Sequence, residues 1–282
     1  MCRIVGVVGQ SPVAASILDA LKRLEHREYD SAGVATLEHG LLTRRSVVGN
    51  LKNLENKLTY EPLVGLIGIG HTCWATHGRP NEKNAHPYAV GGVAVVHNGI
   101  IENYRELRNE LKQAGARFVT DTDAEVIAHL VSPQLKNGYE PLDAVHIALL
   151  RLEGAFALAL LFEGHENLII AVCRGSPLAV GYGRGEMYVS SDAIALEPFT
   201  DMISHLKDDD IVVMTRQGVD FLNARREFVR RSLANINGSA GRAQKGEHRR
   251  FMLREIREQP GEPLRNTLIP PAAGSRCRTK SR

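Results

Sequence analysis

The chain has 282 residues, of which 43% are hydrophobic and 24% are charged, and this is the composition of an ordinary globular protein. It excludes a disordered chain, a collagen and a disulfide scaffold, since the few cysteines lack CxxC spacing. The net charge of +3 hides an asymmetry. Residues 1–224 hold 20 Lys and Arg against 27 Asp and Glu, whereas residues 225–282 hold 15 against 5. The basic end could be a nucleic-acid arm, an interdomain linker or an unfolded tail.

No segment of the sequence has the features of an export signal or a membrane span. The apolar run at residues 4–8 has no basic region before it, and longer runs such as residues 155–162 are of strand length. We therefore expect a cytoplasmic protein that has no contact with membranes and keeps its cysteines reduced.

The first third of the chain predicts strands and helices in turn. Residues 4–8 predict a strand, and Ser11 with Pro12 predicts the start of a helix that continues to about residue 28. Next come two strands around the turn at 38–40, a helix at 51–60, a glycine-rich strand at 64–70 and a strand at 92–96. The glycines at 64–70 indicate close backbone packing between sheets.

The rest of the chain predicts helices first and then short strands. Helices are expected at about 103–114, 123–136 and 141–151, and strands at 155–162, 168–173, 178–181, 187–190, 211–215 and 219–222. Because short turns join these strands, their pairing should be antiparallel. We predict an α+β fold with two mainly antiparallel sheets and helices on their outer faces. The domain should span 1–224, followed by a linker-like segment at 225–269 and a basic, disordered tail at 270–282.

Cys2 is the first residue whose position suggests chemistry. If Met1 is removed, Cys2 carries a thiol beside a free α-amine, and an α-amine with an ordinary pKa of about 7.7–8.0 can act as a base at neutral pH. One residue would then supply the nucleophile and the base, as in N-terminal nucleophile enzymes. The alternative is an accidental cysteine at this position.

Two further motifs offer polar groups at the ends of predicted elements. His97, Asn98 and Gly99 are predicted to end a buried strand in a turn, where a side-chain amide and a backbone N–H could form an oxyanion hole. A plain turn is the alternative. Asp123 and its acidic neighbours precede a predicted helix, so they could cap the helix or face a cationic ligand group.

Several short motifs in order carry a resemblance to a known family. They are Met1-Cys2, Tyr29-Asp30-Ser31-Ala32-Gly33, residues 71–78, 84–87, 97–103, 122–125 and 175–178, and Ser191-Asp192. From Met1 to about Thr267 the chain resembles the glutaminase domains of the glutamine–fructose-6-phosphate aminotransferase family. These are class II glutamine amidotransferases with the N-terminal nucleophile hydrolase fold. The resemblance implies a four-layer αββα sandwich that hydrolyses L-glutamine without a cofactor.

The resemblance also implies roles for individual residues. Cys2 would attack the side-chain amide of glutamine while its α-amine moves the proton, and Asn98 and the Gly99 backbone N–H would hold the oxyanion. Asp123 would bind the substrate α-ammonium group. The other implied site residues are Arg27, near the nucleophile, and Trp74, Thr76 and His77, in the pocket wall.

The resemblance further implies partners for this domain. In the family, ammonia passes to sugar-isomerase domains that bind fructose 6-phosphate, so the expected partners are L-glutamine and a sugar-isomerase domain or subunit. A homodimer is left open. The residues from Pro270 no longer resemble the family, which we interpret as a premature end that leaves the isomerase domains absent.

Three residues depart from the family pattern. Arg3 and Glu28 each stand where the family has glycine, which adds bulk near the nucleophile and strain if φ is positive there. Cys73 stands where the family has the arginine that binds the α-carboxylate of glutamine. A thiol cannot replace a bidentate guanidinium, and its loss would cost on the order of 10² to 10³-fold in glutamine affinity. The alternative function is therefore an impaired or silent paralogue that acts as a binding or regulatory subunit.

Two other classes of function are disfavoured by the sequence. The spacings of His71, Cys73, His77, His86 and His97 match no compact zinc motif, so we expect no metal site. The basic C-terminal residues lack interleaved aromatic side chains, so we do not expect nucleic-acid binding.

Overall fold

The computed structural model describes residues 2–25, 30–73 and 81–236, which all belong to the first of two units of the chain, Met1–Gly241. The strands are β1 (Arg3–Val8), β2 (Ser31–Glu38), β3 (Leu41–Val48), β4 (Ile67–Cys73), β5 (Tyr88–Val90), β6 (Val93–Ile101), β7 (Gly154–Phe162), β8 (Ile169–Arg174), β9 (Ala179–Tyr182), β10 (Met187–Ser190), β11 (Met202–His205), β12 (Asp210–Thr215), β13 (Gly218–Leu222), β14 (Phe228–Val229) and β15 (Ala234–Asn235). The helices are α1 (Ala14–Arg23), α2 (Leu51–Tyr60), α3 (Tyr104–Gln113), α4 (Glu125–Lys136) and α5 (Pro141–Leu149), and a 3-10 turn spans Ala193–Leu196.

The strands form two sheets. The first has eight strands in the order β15-β11-β9-β10-β1-β4-β2-β3, and the second has seven in the order β14-β13-β12-β8-β7-β6-β5. Every pair of strands in the described residues is antiparallel. The predicted antiparallel pairing is therefore confirmed.

Strand alternation divides the core into three layers of apolar side chains. In β1, Ile4 and Val8 pack between the two sheets, whereas Val5 and Val7 pack on the outer side against α1. On the outer side of the second sheet, α4 and α5 cover a third cluster that includes Phe156. The order of layers is helix, sheet, sheet, helix, so the predicted α+β sandwich is confirmed.

The glycines of β4 permit a close contact, but not the one that the sequence suggested. A Cβ on Gly70 would overlap the side chain of Ile17 and lie 3.1 Å from Leu21 Cδ1, and both of these residues belong to α1. The close approach is therefore between a helix and the first sheet rather than between the sheets. It lets α1 lie directly on the strand that leads to Cys73.

Several element boundaries differ from the sequence prediction. α1 begins at Ala14 without a side-chain cap, because the preceding segment is fixed by backbone bonds instead, including Val13 N–H to the Gly65 carbonyl at 3.0 Å. β4 begins at residue 67 rather than 64. The short strands β5, β11, β14 and β15 were not predicted. Since β14 and β15 pair with β13 and β11, the fold continues beyond residue 224.

Glu125, the first residue of α4, anchors the segment that leads into this helix. It is 1% exposed, and its carboxylate accepts hydrogen bonds at 2.8 Å from Val119 N–H, Thr120 N–H and the Thr120 hydroxyl, with His129 Nε2 at 3.5 Å. Burial alone would raise the pKa of Glu125. The bonds from His129, Val119 and Thr120 outweigh it and lower this pKa to about 2.

None of the helices in the described part of the chain is long and apolar enough to cross a membrane.

We expect Gly70→Ala to destabilise the fold by about 1–3 kcal/mol, because the added methyl group overlaps a buried side chain of α1. Gly218→Ala is the matched control, since no atom lies within 4 Å of its Cβ position. Urea denaturation of both variants measures the difference. Equal stabilities would show that α1 does not pack on Gly70 as described.

We expect Glu125→Gln to destabilise the fold by about 2–4 kcal/mol at neutral pH, because an amide cannot accept all of these hydrogen bonds. A carboxyl with a lowered pKa stabilises the fold above its unfolded-state value of 4.5, and this contribution is lost as the pH falls towards about 2. The difference between wild type and Glu125→Gln should therefore shrink over this range. Denaturation at several pH values tests this, with the exposed Glu153→Gln as control. A difference that does not vary with pH would contradict the ionised state of Glu125.

Candidate active site

Cys2 and Cys73 lie next to each other where β1 begins and β4 ends. The antiparallel register pairs Arg3 with Thr72, so Cys2 is opposite Cys73. The two Sγ atoms are 3.5 Å apart, within hydrogen-bond distance for sulfur. The sequence identified both residues as site candidates but did not predict this contact.

Strand alternation directs both thiols into the space between the sheets. Cys2 is on the same face of β1 as Ile4, and Cys73 is on the same face of β4 as Ile69 and His71. The thiols are therefore at one end of the inter-sheet layer, and both are half-buried.

The pKa of the Cys73 thiol is raised above its ordinary value. The largest cause is the hydrogen bond with Cys2, and burial and the negative charges of Asp30 and Asp123 act in the same direction. The Cys73 thiol therefore keeps its proton at neutral pH. An S–H donor next to the Cys2 sulfur stabilises negative charge on that sulfur.

The strand that carries Asn98 continues through residues 97–99, where the sequence predicted a turn. Asn98 pairs with Ala157 of β7, and this ladder outweighs the local turn preference of an Asn-Gly pair. Gly99 has φ +139°, and a Cβ there would overlap the Ala155 carbonyl. This position therefore requires glycine, and the predicted turn is wrong.

Asn98 lies at the same end of the inter-sheet layer as the thiols. It follows Val96 by two residues on the inter-sheet face of β6, and β6 packs against β1 and β4. At this end His71 Nε2 donates a hydrogen bond of 2.9 Å to the His97 carbonyl, which joins the two sheets. The structure thus brings the predicted oxyanion ligand and Cys2 to one region.

Asp123 lies in the turn before α4, and its carboxylate is held by β6 rather than used as a helix cap. Oδ2 accepts a hydrogen bond of 3.0 Å from Ile101 N–H, and Oδ1 is 3.8 Å from His97 Nδ1. α4 has no side-chain cap. Asp123 is 5% exposed. The carboxylate is thus fixed beside the strand of Asn98, and its contact with the substrate stays a prediction.

A group of histidines lies beside Cys73. The His86 ring centroid is 4.1 Å from that of His71 and 6.3 Å from that of His97. The pKa of His86 lies well below its ordinary value because of burial first and the charges of His71 and His97 second, so His86 is neutral at neutral pH. Ligand atoms of His71, Cys73 and His86 all lie within 4.8 Å of one another.

The sequence offered these three residues among its metal-ligand candidates, but their spacing did not predict that they meet, because His86 belongs to a different segment from His71 and Cys73. The backbone of His86 reaches them because Gly33 has no side chain. A Cβ on Gly33 would overlap the His86 carbonyl, and Ser46 Oγ donates to that carbonyl at 3.2 Å.

Arg3 points away from the thiols. It is on the same face of β1 as Val5, and its guanidinium lies 3.8 Å from a carboxylate oxygen of Asp192. Non-glycine residues with positive φ in the described chain are His39, Asp209 and Arg226. The expectation that Arg3 crowds or strains the nucleophile is therefore wrong.

The remaining residues of the predicted site, Arg27, Trp74, Thr76 and His77, lie outside the described residues, as does the departure at Glu28.

Comparisons with known proteins agree with the fold and the site. A model of the family described as glutamine amidotransferase domain matches residues 78–198. Glutamine–fructose-6-phosphate aminotransferase (isomerizing) from Brucella suis biovar 1 (strain 1330) is 54% identical over 268 residues, which cover 95% of this chain and 44% of that protein. The protein of the same name from Mesorhizobium japonicum is 56% identical with the same coverage. The chain thus spans less than half the length of these relatives.

Solved structures support the fold. Glutamine phosphoribosylpyrophosphate amidotransferase from B. subtilis, complexed with ADP and GMP, has a TM-score of 0.69 at 23% identity and covers 81% of this chain and 50% of its own. A glutamine aminotransferase class-II domain protein from Silicibacter pomeroyi has a TM-score of 0.56 at 17% identity, covering 79% and 99%. The chain belongs to the glutamine amidotransferase family and corresponds to the glutaminase domain of the glutamine–fructose-6-phosphate aminotransferases, with the N-terminal nucleophile hydrolase fold.

Proposed function

We propose that this chain hydrolyses L-glutamine to glutamate and ammonia with Cys2 as the nucleophile. The observation that carries the proposal is the position of Cys2. It lies at one end of the inter-sheet layer, beside the Cys73 thiol and near the strand of Asn98, in a member of the glutamine amidotransferase family.

In the first step, Cys2 Sγ attacks the side-chain carbonyl carbon of glutamine. The thiol proton moves to the α-amine of Cys2, which requires that Met1 has been removed. The Cys73 S–H, 3.5 Å from Cys2 Sγ, stabilises the thiolate before the attack. A neutral thiol donor is weaker than a charged one, so this contribution is modest.

The carbonyl oxygen becomes an oxyanion in the tetrahedral intermediate. The side-chain amide of Asn98 and the backbone N–H of Gly99 would donate hydrogen bonds to it, and donors fixed in a strand need no reorganisation. Collapse of the intermediate transfers the proton to the leaving nitrogen, releases ammonia and leaves a glutamyl thioester on Cys2. Water then hydrolyses the thioester and restores the thiol.

Substrate binding would use groups around the same end of the sandwich. The carboxylate of Asp123 would bind the α-ammonium group of glutamine, and Trp74, Thr76 and His77 would form the pocket wall. Arg27 would lie near the nucleophile. Since residue 73 is in contact with Cys2, a side chain there reaches the substrate directly. Cys73 supplies no positive charge for the α-carboxylate, so we expect weak glutamine binding.

We further propose that the ammonia serves an aminotransferase reaction on fructose 6-phosphate, as the names of the relatives indicate for those proteins. The acceptor site would be in a sugar-isomerase domain or subunit, and residues 237–269 would connect this domain to it. The cytoplasmic location, the disordered tail at 270–282 and a homodimer stay predictions.

Glutamate release from glutamine tests the proposed function. We expect turnover by protein that starts with Cys2, as verified by its mass, and only the uncatalysed background for Cys2→Ala. Protein that retains Met1 should also be inactive, because it lacks the α-amine at Cys2.

The matched control is Cys173→Ser, because Cys173 is buried and donates a hydrogen bond of 3.1 Å to the Ser176 carbonyl. This variant should keep the wild-type rate. Equal rates for wild type and Cys2→Ala would refute the proposal and favour the silent paralogue.

We expect Cys73→Arg to lower the KM for glutamine by on the order of 10²-fold, because a guanidinium binds the α-carboxylate with two charged hydrogen bonds. Steady-state kinetics measure this effect. Cys73→Ser separates it from loss of the S–H donor, and a glutamine analogue without the α-carboxylate should gain nothing. An unchanged KM would show that residue 73 does not face the α-carboxylate.

A further inference from the structure

His71, Cys73 and His86 form a compact group of metal-binding side chains beside the nucleophile. One ligand atom from each lies within 4.8 Å of the other two. Ligands of a tetrahedral Zn²⁺ are about 3.3–3.8 Å apart for bonds of about 2.0–2.3 Å. Side-chain movements of about 1 Å would therefore close this group around one ion.

The hydrogen bond of His71 leaves its other ring nitrogen available. The His97 carbonyl can only accept, so Nε2 of His71 carries the hydrogen in their 2.9 Å bond and the lone pair is on Nδ1. This Nδ1 is buried and has no hydrogen-bond partner within the described residues. A metal-binding histidine held through its other nitrogen by a backbone carbonyl is the usual arrangement in metal sites.

His86 has more ring nitrogens without a hydrogen-bond partner than His71 within the described residues. It is 5% exposed, and neither ring nitrogen has a hydrogen-bond partner in the parts of the chain that the structure describes. Buried polar groups without partners are rare in folded proteins and call for an explanation. The ring is kept in place by contacts with His71 and Tyr88, at centroid distances of 4.1 and 4.3 Å. A bound ion would satisfy one of its nitrogens.

Cys2 supplies a fourth sulfur or nitrogen ligand at a suitable distance. Its Sγ is 3.5 Å from Cys73 Sγ, close to the separation of about 3.8 Å between two sulfurs on one tetrahedral Zn²⁺. Two thiolates and two imidazoles are ligands that select Zn²⁺ over Mg²⁺ or Ca²⁺.

We propose that His71, Cys73 and His86 bind one Zn²⁺, with Cys2 as the fourth ligand. Binding replaces the thiol protons of Cys73 and Cys2 by bonds to the metal and releases two protons, without any change of oxidation state. A Cys2 sulfur that is bonded to Zn²⁺ cannot attack an amide. Zn²⁺ therefore inhibits the enzyme in competition with glutamine, a consequence that rests on the proposed function.

Titration of the reduced full-length chain with Co²⁺, followed by displacement with Zn²⁺, tests the site directly. We expect a thiolate-to-Co²⁺ charge-transfer band and the strong visible bands of tetrahedral Co²⁺. Cys73→Ser and His86→Gln should each weaken Zn²⁺ binding by more than the roughly 10 to 100-fold that loss of an outer-shell partner costs. Cys2→Ala should keep a three-residue site with about half of the charge-transfer intensity, since one of two thiolates is lost.

Two matched controls address the remaining thiols. Cys173→Ser and Cys277→Ser should give the wild-type spectrum. Cys73→Arg, whose thermal unfolding verifies its fold, provides a second variant without the ligand in case His86→Gln does not fold. Its thiolate band should fall to half of the wild-type intensity or less, since Cys2 is the thiolate that remains.

Some results would overturn the proposal. A wild-type spectrum without a thiolate band, or a band of undiminished intensity in Cys73→Ser, would exclude the site, and undiminished intensity in Cys2→Ala would exclude the fourth ligand. The first readout is binding rather than turnover. A chain that binds Zn²⁺ but does not hydrolyse glutamine would therefore refute the proposed function alone, and one that hydrolyses glutamine without a Co²⁺ band would refute the metal site alone.

Discussion

The pairing of β1 with β4 determines where the chemistry of this domain takes place. Both strands lie inside the first sheet, with apolar layers on either side, so their register is fixed by the burial of Ile4 and Ile69 on one face and Val5 on the other. A shift by one residue would exchange the side chains between these two layers and turn Cys2 out of the inter-sheet layer. The same register places Cys73 opposite Cys2. The same strand register therefore determines both the burial of the core and the position of the nucleophile.

Much of the fold could be predicted because its elements have strong local patterns. The β2–β3 hairpin, α2 and the long strand β7 were found nearly at their observed bounds, since burial on one or both faces produces clear periodicity. The elements that were predicted wrongly or not at all depend on contacts between distant parts of the chain. Residues 97–99 have the sequence of a turn, but pairing with β7 extends the strand through them. The two-residue strands β14 and β15 exist only because a sheet edge is available for pairing.

The candidate site divides in the same way, into residues that local motifs identify and contacts that depend on distant parts of the chain. Cys2, Asn98, Gly99 and Asp123 were identified from motifs, and the structure places them around one end of the sandwich. The thiol contact and the approach of His86 depend on strand register and on the missing side chain of Gly33, neither of which is a local property of the sequence. For the same reason, spacing along the chain did not predict that His86 lies beside His71 and Cys73.

Arg3 and Cys73 lie on opposite faces of the first sheet because side chains alternate along a strand. Of the two residues that are unusual beside the nucleophile, Arg3 is one step along the chain and lies on the outer face with Asp192, whereas Cys73 is distant in sequence and touches the sulfur. A change at residue 3 therefore leaves the thiol pair without a new contact, whereas a change at residue 73 alters the group that touches Cys2. Relatives should therefore be sorted by the residue that faces Cys2 across the β1–β4 pair when their specificity is compared.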